Sequence, residues 1–169
     1  IGNQYTLSIV VDGAQYEAQS YMGPVPPVDS ISFKEDQAVG TNETIVIGEF
    51  WATDVPGEGN TYWIRSRKNG VLLNKPSEIN TAFDAGFSQG GALDAVTFIA
   101  PIRQAISPFE NDSDDTLLSP FVSGDSVYVE IYSISIAAFY FLGEVVTQTN
   151  RTGGFGELFA EPLANVSTN

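Results

Sequence analysis

Residues 124–150 read GDSVYVEIYSISIAAFYFLGEVVTQTN, the longest apolar run in the chain, and the hydrophobic period changes partway through it. Between Asp125 and Ser133, Val127, Val129 and Ile131 alternate with Tyr128, Glu130 and Tyr132. A period of two belongs to a strand with one face buried, because successive side chains leave a strand on opposite sides. After Ser133 the order becomes helix-like, rich in Ala, Phe, Tyr and Leu and free of Pro, which predicts one packed helix near 134–148. A core strand running directly into a core helix is expected, with Val127, Val129, Ile131, Phe141 and Val145 pinning the helix to the sheet. No catalytic motif accompanies this stretch.

Outside it the pattern is mostly of strands. Tyr5, Leu7, Ile9 and Val11 alternate with polar residues, and Asp12-Gly13 then supplies a type I′ turn into a second strand over 14–21. An isolated two-stranded hairpin is marginal in water, so it must pack on something. Residues 22–30, MGPVPPVDS, hold three prolines that fix φ and lack a ladder donor. The chain therefore divides into a hairpin at 1–23, a Pro-rich linker at 24–30 and a main β domain at 31–169 with its helix near the end. Residues 43–54, 61–68 and 71–73 read as strands, the last two joined by an Asn69-Gly70 turn, and three in a row suggest a meander. Residues 34–42 and 74–91 read as loops, 93–102 as a strand, 107–115 as an acidic loop and 117–122 as a short edge strand. The fold class expected is mainly β, an antiparallel two-sheet sandwich, with a partly open barrel as the alternative.

Composition removes whole classes of function. The chain has 169 residues, with 21 acidic against 7 basic side chains and a formal charge of −14. Such a surface repels nucleic acid, whose binding draws on Lys and Arg neutralising phosphates. It holds no Cys and no His, so Ser-His-Asp and Cys-His machinery cannot be built from it. No segment reaches the roughly 18 apolar residues of a membrane-spanning helix.

Several groups of residues could nevertheless carry chemistry. Trp51, Tyr62, Trp63, Tyr128 and Tyr132 lie on neighbouring strands and would stack on sugar rings if they faced solvent, although aromatics more often fill β cores. Glu49, Asp54 and Glu130 are the carboxylates on ordered elements, the residue type a glycoside hydrolase needs in pairs, although charged strand residues more often mark a solvent face. No catalytic residue is assigned. Asp112, Asp114 and Asp115, beside Asn111 and Ser113, offer hard oxygens to Ca²⁺, as do Asp54, Glu58 and Asn60. Neither set has the spacing of a known calcium loop, so no cofactor is expected and Ca²⁺ is the one candidate ion. Gly86-Phe87-Ser88-Gln89-Gly90 matches the G-x-S-x-G nucleophile elbow, but the protein lacks the His that the motif requires, and a flexible glycine loop is the reading. N-x-S/T sequons stand at Asn42, Asn111, Asn150 and Asn165.

A set of separated pieces resembles a family of Bacteroidetes envelope lipoproteins, the domain of unknown function forty-two forty-nine. They are Gly2-Asn3-Gln4-Tyr5-Thr6-Leu7 with Asp12-Gly13-Ala14-Gln15-Tyr16-Glu17-Ala18, and Pro26-Pro27-Val28-Asp29-Ser30-Ile31. Asp54-Val55-Pro56-Gly57 with Asn60-Thr61-Tyr62-Trp63-Ile64-Arg65, and Phe83-Asp84 with Phe87, follow. The most specific are Gly124-Asp125-Ser126-Val127, Ile134-Ser135 and Tyr140-Phe141-Leu142, and residues 162–169 resemble the family's closing segment. The resemblance implies a mainly β, exported protein held at the outer membrane, on its surface or periplasmic side, through a lipidated N-terminal Cys. It also implies gene neighbours that are TonB-dependent uptake receptors, and it carries over no catalytic residue. The lipid-bearing Cys, a preceding β domain and a tail past Asn169 are not in this chain. It is therefore expected to be a piece of a longer protein, anchored to the membrane only through a lipid outside it, with the first hairpin completing an upstream sandwich.

The functions expected are, in order, a non-enzymatic binding or assembly module linked to nutrient uptake, a carbohydrate-binding accessory module using exposed aromatics, and a carboxylate-dependent glycoside hydrolase. The corresponding partners are a TonB-dependent receptor or other envelope protein, or a glycan, and not nucleic acid.

Overall fold

In a computed structural model of the chain, the residues described are 2–149 apart from 39, 41, 91, 109 and 115. Asp115, the sequons at Asn150 and Asn165, and residues 162–169 of the resemblance lie outside them.

Alternation and turn chemistry build the first two strands. β1 (Gln4–Val11) and β2 (Ala14–Tyr21) pair in register across Asp12 and Gly13, at φ of 52° and 83°. Positive φ at both central positions is what a type I′ turn demands. Every residue of both strands is exposed. Residues 22–29 then run back along the molecule, with Gly23 and Pro26 buried, Val28 packed on the core and the Asp29 N–H donating to the Trp51 carbonyl at 2.8 Å.

β3 (Ser30–Gln37) and β4 (Thr44–Trp51) form a second antiparallel pair. The central element is β5 (Thr61–Lys68). β10 (Val127–Ser133) lies along one of its edges, while β6 (Val71–Leu73) and β7 (Asn80–Phe83) share the other. β8 (Glu110–Asn111) and β9 (Leu117–Leu118) close the acidic stretch as a small hairpin. The helices are α1 (Ala100–Gln104) and α2 (Ile136–Thr149). The protein is mainly β with antiparallel sheets, one main helix and no closed barrel among the described residues, consistent with the sandwich-like class.

One apolar cluster joins these layers. Phe50 and Ala52 from the β4 side meet Tyr62, Ile64, Ala82, Phe98, Ile102 and Val129. Phe98 sits at its centre, with ring centroids 5.7 Å from Phe50 and 5.5 Å from Tyr62. Offset and edge-on rings at such distances add to plain burial.

Several sequence expectations are corrected. β4 does not join a meander with β5 and β6. Its free edge is taken by Ser107, whose hydroxyl bonds both Gly48 N and O, and by Ser119 and Phe121 at Val46. Residues 34–37 are strand rather than loop, because an edge strand needs only its backbone ladder, and charged side chains on it discourage further pairing. Residues 93–102 are not a strand. Ala95 takes φ of 56°, Thr97 makes an isolated bridge, and Pro101 opens α1, where its missing N–H has no partner to lose. The stretch 74–91 contains β7, whose polar Asn80 is buried because its amide donates to the Ile102 carbonyl at 2.9 Å. The strand-to-helix unit is found as expected, but the pin differs. Val129 is buried and Val127 and Ile131 pack on the core, whereas α2 docks through Phe139 onto Phe83 at 5.7 Å and leaves Phe141 38% exposed.

Candidate functional site on the outer face of the central sheet

In β5, Tyr62, Ile64 and Ser66 are buried, so strand geometry turns Trp63, Arg65 and Arg67 to the other side. In β10 the same rule turns Val127, Val129 and Ile131 to the core and Tyr128, Glu130 and Tyr132 outward. The register stacks the outward residues in rungs, Trp63 opposite Tyr132, Arg65 opposite Glu130 and Arg67 opposite Tyr128. Directly opposed side chains on one face touch. Trp63 and Tyr132 have centroids 6.4 Å apart, and the Arg65 guanidinium carbon lies 4.9 Å from the Trp63 ring and 5.6 Å from the Tyr132 ring. A cation held against two π faces gains about 0.5–2 kcal/mol and is fixed in orientation. Its Nε is buried without a hydrogen-bond partner, and Glu130 makes no ion pair with it. Tyr128 is 58% exposed and Tyr132 39%. Phe83, opposite Thr61 and so on the same side as Trp63, is covered by α2, which borders this face at one end.

The expected five-aromatic platform is thereby reduced to three. Tyr62 alternates with Trp63 and so faces the core, fully buried, with its hydroxyl donating to Asp54 Oδ1 at 2.6 Å. Trp51 belongs to the β3–β4 sheet, donating to Ser32 Oγ at 2.8 Å with the Arg103 guanidinium 4.1 Å above its ring. Trp63, Tyr128 and Tyr132 remain together.

Two of the three candidate carboxylates, Glu49 and Asp54, are occupied by the fold. Glu49 is buried beside Lys34 at 3.6 Å and Arg103 at 3.9 Å, and accepts from the Gln104 amide. Asp54 is 2% exposed and accepts from Tyr62 through one oxygen and from the Ala95 N–H, at 3.1 Å, through the other. Burial holds its carboxyl above the usual range, nearby Asp84 adds to this, and the two hydrogen bonds oppose it. Burial also raises the Tyr62 hydroxyl, and its bond to Asp54 raises it further, so it stays a donor. Asp84 accepts from the Gly59 and Asn60 N–H groups at 2.8 and 2.9 Å, tying the 55–60 turn to the end of β7. The Asn60 amide donates within that turn, to the Val55 and Gly57 carbonyls, and Glu58 is exposed. Glu130 is half-buried on the ladder itself.

Ser88 of the G-x-S-x-G match is exposed on a bend with no helix after it. Asp112 spends Oδ1 on the Asp114 and Thr116 N–H groups, closing its own turn. Among the described residues no group of three or more Asp or Glu converges as a metal site. No helix among them is long and apolar enough to cross a membrane. Two shallow grooves of 410 and 450 Å³ meet at Leu73 and Pro108, and neither is lined by any of the candidate aromatics.

Sequence reasoning missed Arg65 and Arg67. The signal was present, since both alternate with the buried residues of β5, but only the register with β10 places Arg65 against Trp63 and Tyr132 and Arg67 opposite Tyr128. Comparison with protein-family models, with curated proteins and with solved structures found no match.

Proposed function

We propose that this chain is a non-enzymatic binding module of an outer-membrane lipoprotein, the kind of protein it resembles, and that it takes a glycan on the outer face of β5 and β10. The observation that carries this reading is the cluster of Trp63 and Tyr132 around Arg65, continued by exposed Tyr128. Fixed aromatic faces lose little rotamer freedom when a sugar ring stacks on them. The internal bonding of Glu49 and Asp54 favours binding over hydrolysis, since each is already held by donors of the fold.

The test follows the fluorescence of Trp63 in a Trp51→Phe background while neutral and acidic oligosaccharides are titrated. A saturable change is expected, lost in a Tyr128→Ala/Tyr132→Ala variant whose circular dichroism is unaltered. No saturable change with any saccharide, or an equal response from that variant, refutes the reading.

A role in assembly rests on a different observation. The register of β1 and β2 gathers Tyr5, Leu7, Ile9, Val11 and Tyr16 on one uncovered face. Contact there with a TonB-dependent receptor or another envelope protein would tie the module to nutrient uptake. Pull-down of the full-length lipoprotein from native membranes tests it, and recovery of no uptake receptor counts against it.

A further inference from the structure

Lys34, Lys68, Lys75 and Arg103 each lie within 4 Å of a carboxylate, as acids outnumbering bases by 21 to 7 makes easy. Among the described residues the two cations with no ion pair are Arg65 and Arg67, and they are neighbours on one face. The arrangement is selective. Glu130 stands directly opposite Arg65, yet the guanidinium lies against Trp63 and Tyr132 instead. A guanidinium held by two rings and free of carboxylate is already oriented for an incoming anion, and its fork fits a carboxylate or sulfate through two parallel N–H bonds.

We infer that the ladder takes an anionic saccharide, with Arg65 and Arg67 receiving its acidic groups and Trp63, Tyr132 and Tyr128 receiving its ring faces. This rests on the glycan reading of the same surface. Successive rungs are about 7 Å apart, so the ladder runs about 14 Å with aromatics at both ends and the Arg65 cation between them. That order suits a short run of sugars bearing repeated charge. The chain's overall negative charge opposes such a ligand only at long range. At physiological salt, charges beyond about 8 Å are largely screened, and the three rungs themselves carry two guanidiniums against one carboxylate, Glu130. Glu130 remains available to accept from sugar hydroxyls.

Titration calorimetry at physiological salt compares an oligogalacturonate, a sulfated oligosaccharide, a neutral oligosaccharide of equal length and a single-stranded oligonucleotide of equal charge. Binding of the carboxylated or the sulfated sugar is expected, with the neutral one at least about tenfold weaker, the loss of one charge-assisted contact. The preferred acidic sugar identifies which anion the fork takes. Arg67→Gln, which breaks no ion pair of the fold, should weaken it about tenfold, and Arg65→Lys should weaken it despite keeping the charge, because the stacked fork is lost. Equal binding of neutral and acidic sugars overturns the charge inference and leaves the glycan reading standing. Binding of no sugar overturns both. An oligonucleotide binding as tightly as the sugars, or acidic-sugar binding unchanged in both arginine variants, overturns the assignment of this face to anionic saccharides.

Discussion

Replacing Tyr62 by Phe removes one oxygen from a fully buried polar contact. The Tyr62 ring is fully buried and packs edge-on against Phe98 at 5.5 Å, a contact the Phe ring keeps. What is lost is the donor to Asp54 Oδ1, on a carboxyl that is itself only 2% exposed. A hydrogen bond to a charged group is worth about 1.5–3 kcal/mol, and more is at stake when the acceptor is left buried without replacement. A loss of about 2 kcal/mol at pH 7 is expected, lowering Tm by about 4–8 °C in a chain of this size. The pH dependence makes the test specific. Burial already holds the Asp54 carboxyl above 3.8, and the Tyr62 hydroxyl is the strongest influence opposing that. Without it the folded-state value rises further. A carboxyl raised on folding favours the folded state below its unfolded value, an advantage lost as pH rises through its folded value. The deficit of Tyr62→Phe should thus be full at neutral pH and shrink as pH falls toward 4. Urea denaturation of both proteins at pH 7, 5.5 and 4.5 measures it. A deficit that stays constant across that range, or is absent at pH 7, refutes the coupling.

Other outcomes follow from burial and charge. Phe139→Ala should cost about 3 kcal/mol because it is the buried residue of α2 and its ring packs on Phe83, whereas Phe141→Ala should cost less than about 1 kcal/mol; equal losses in urea denaturation would contradict the docking described. Leu7→Ser and Ile9→Ser, at 58% and 47% exposure, should each change stability by no more than about 0.5 kcal/mol in the isolated chain. A larger loss would mean that the face is covered, by a second copy or by another part of the chain. The Asp125 carboxyl is held below 3.8 by the Asn69 amide, then by the Val122 N–H and Lys68. Its contribution to stability is present above about pH 4 and fades as pH falls through its lower folded value. Asp125→Asn should therefore flatten the acid limb of the stability profile, and an unchanged limb would show that the bond contributes nothing.

Where local chemistry is compulsory, the sequence was readable. Asp12-Gly13 and Asn69-Gly70 take the positive φ values that such pairs favour, and the change of period after Ser133 marks the strand-to-helix junction between Ser133 and Ile136. Where long-range contacts decide, it was not. β7 is too short and polar to show a period, and it is a strand because β5 offers it four ladder partners and Ile102 a carbonyl. Residues 93–102 carry the β-branched and aromatic residues of a strand, yet Pro101 and the four-residue spacing of Ile102 and Ile106 suit α1 and the turn after it. In the site, the expected platform included both Tyr62 and Trp63, although alternation sends neighbouring residues to opposite faces. The joining of Trp63 and Arg65 to Tyr132 required the pairing partner of β5 to be known.

The two antiparallel pairs β1–β2 and β5–β10 show why alternation predicts a surface without predicting its use. β1–β2 and β5–β10 obey the same rule, one face apolar and one more polar. Phe50, Phe98 and Ile102 cover the apolar face of β5–β10, so its opposite face is the one left to solvent. Nothing among the described residues covers β1–β2, so there the apolar face itself is open. An uncovered aliphatic face gains most from burial against another protein, since its free energy scales with area removed from water. An uncovered face of rings and unpaired guanidiniums gains from a ligand that supplies both ring faces and charge. On the reading proposed above, the chemistry left over after core formation gives the two surfaces different jobs, assembly for the hairpin and ligand capture for the ladder. Variants on one should leave the other's readout unchanged: Leu7→Ser/Ile9→Ser should bind saccharide like the parent chain, and Arg67→Gln should leave partner recovery intact. Loss of both readouts from either change would place the two surfaces in one interface.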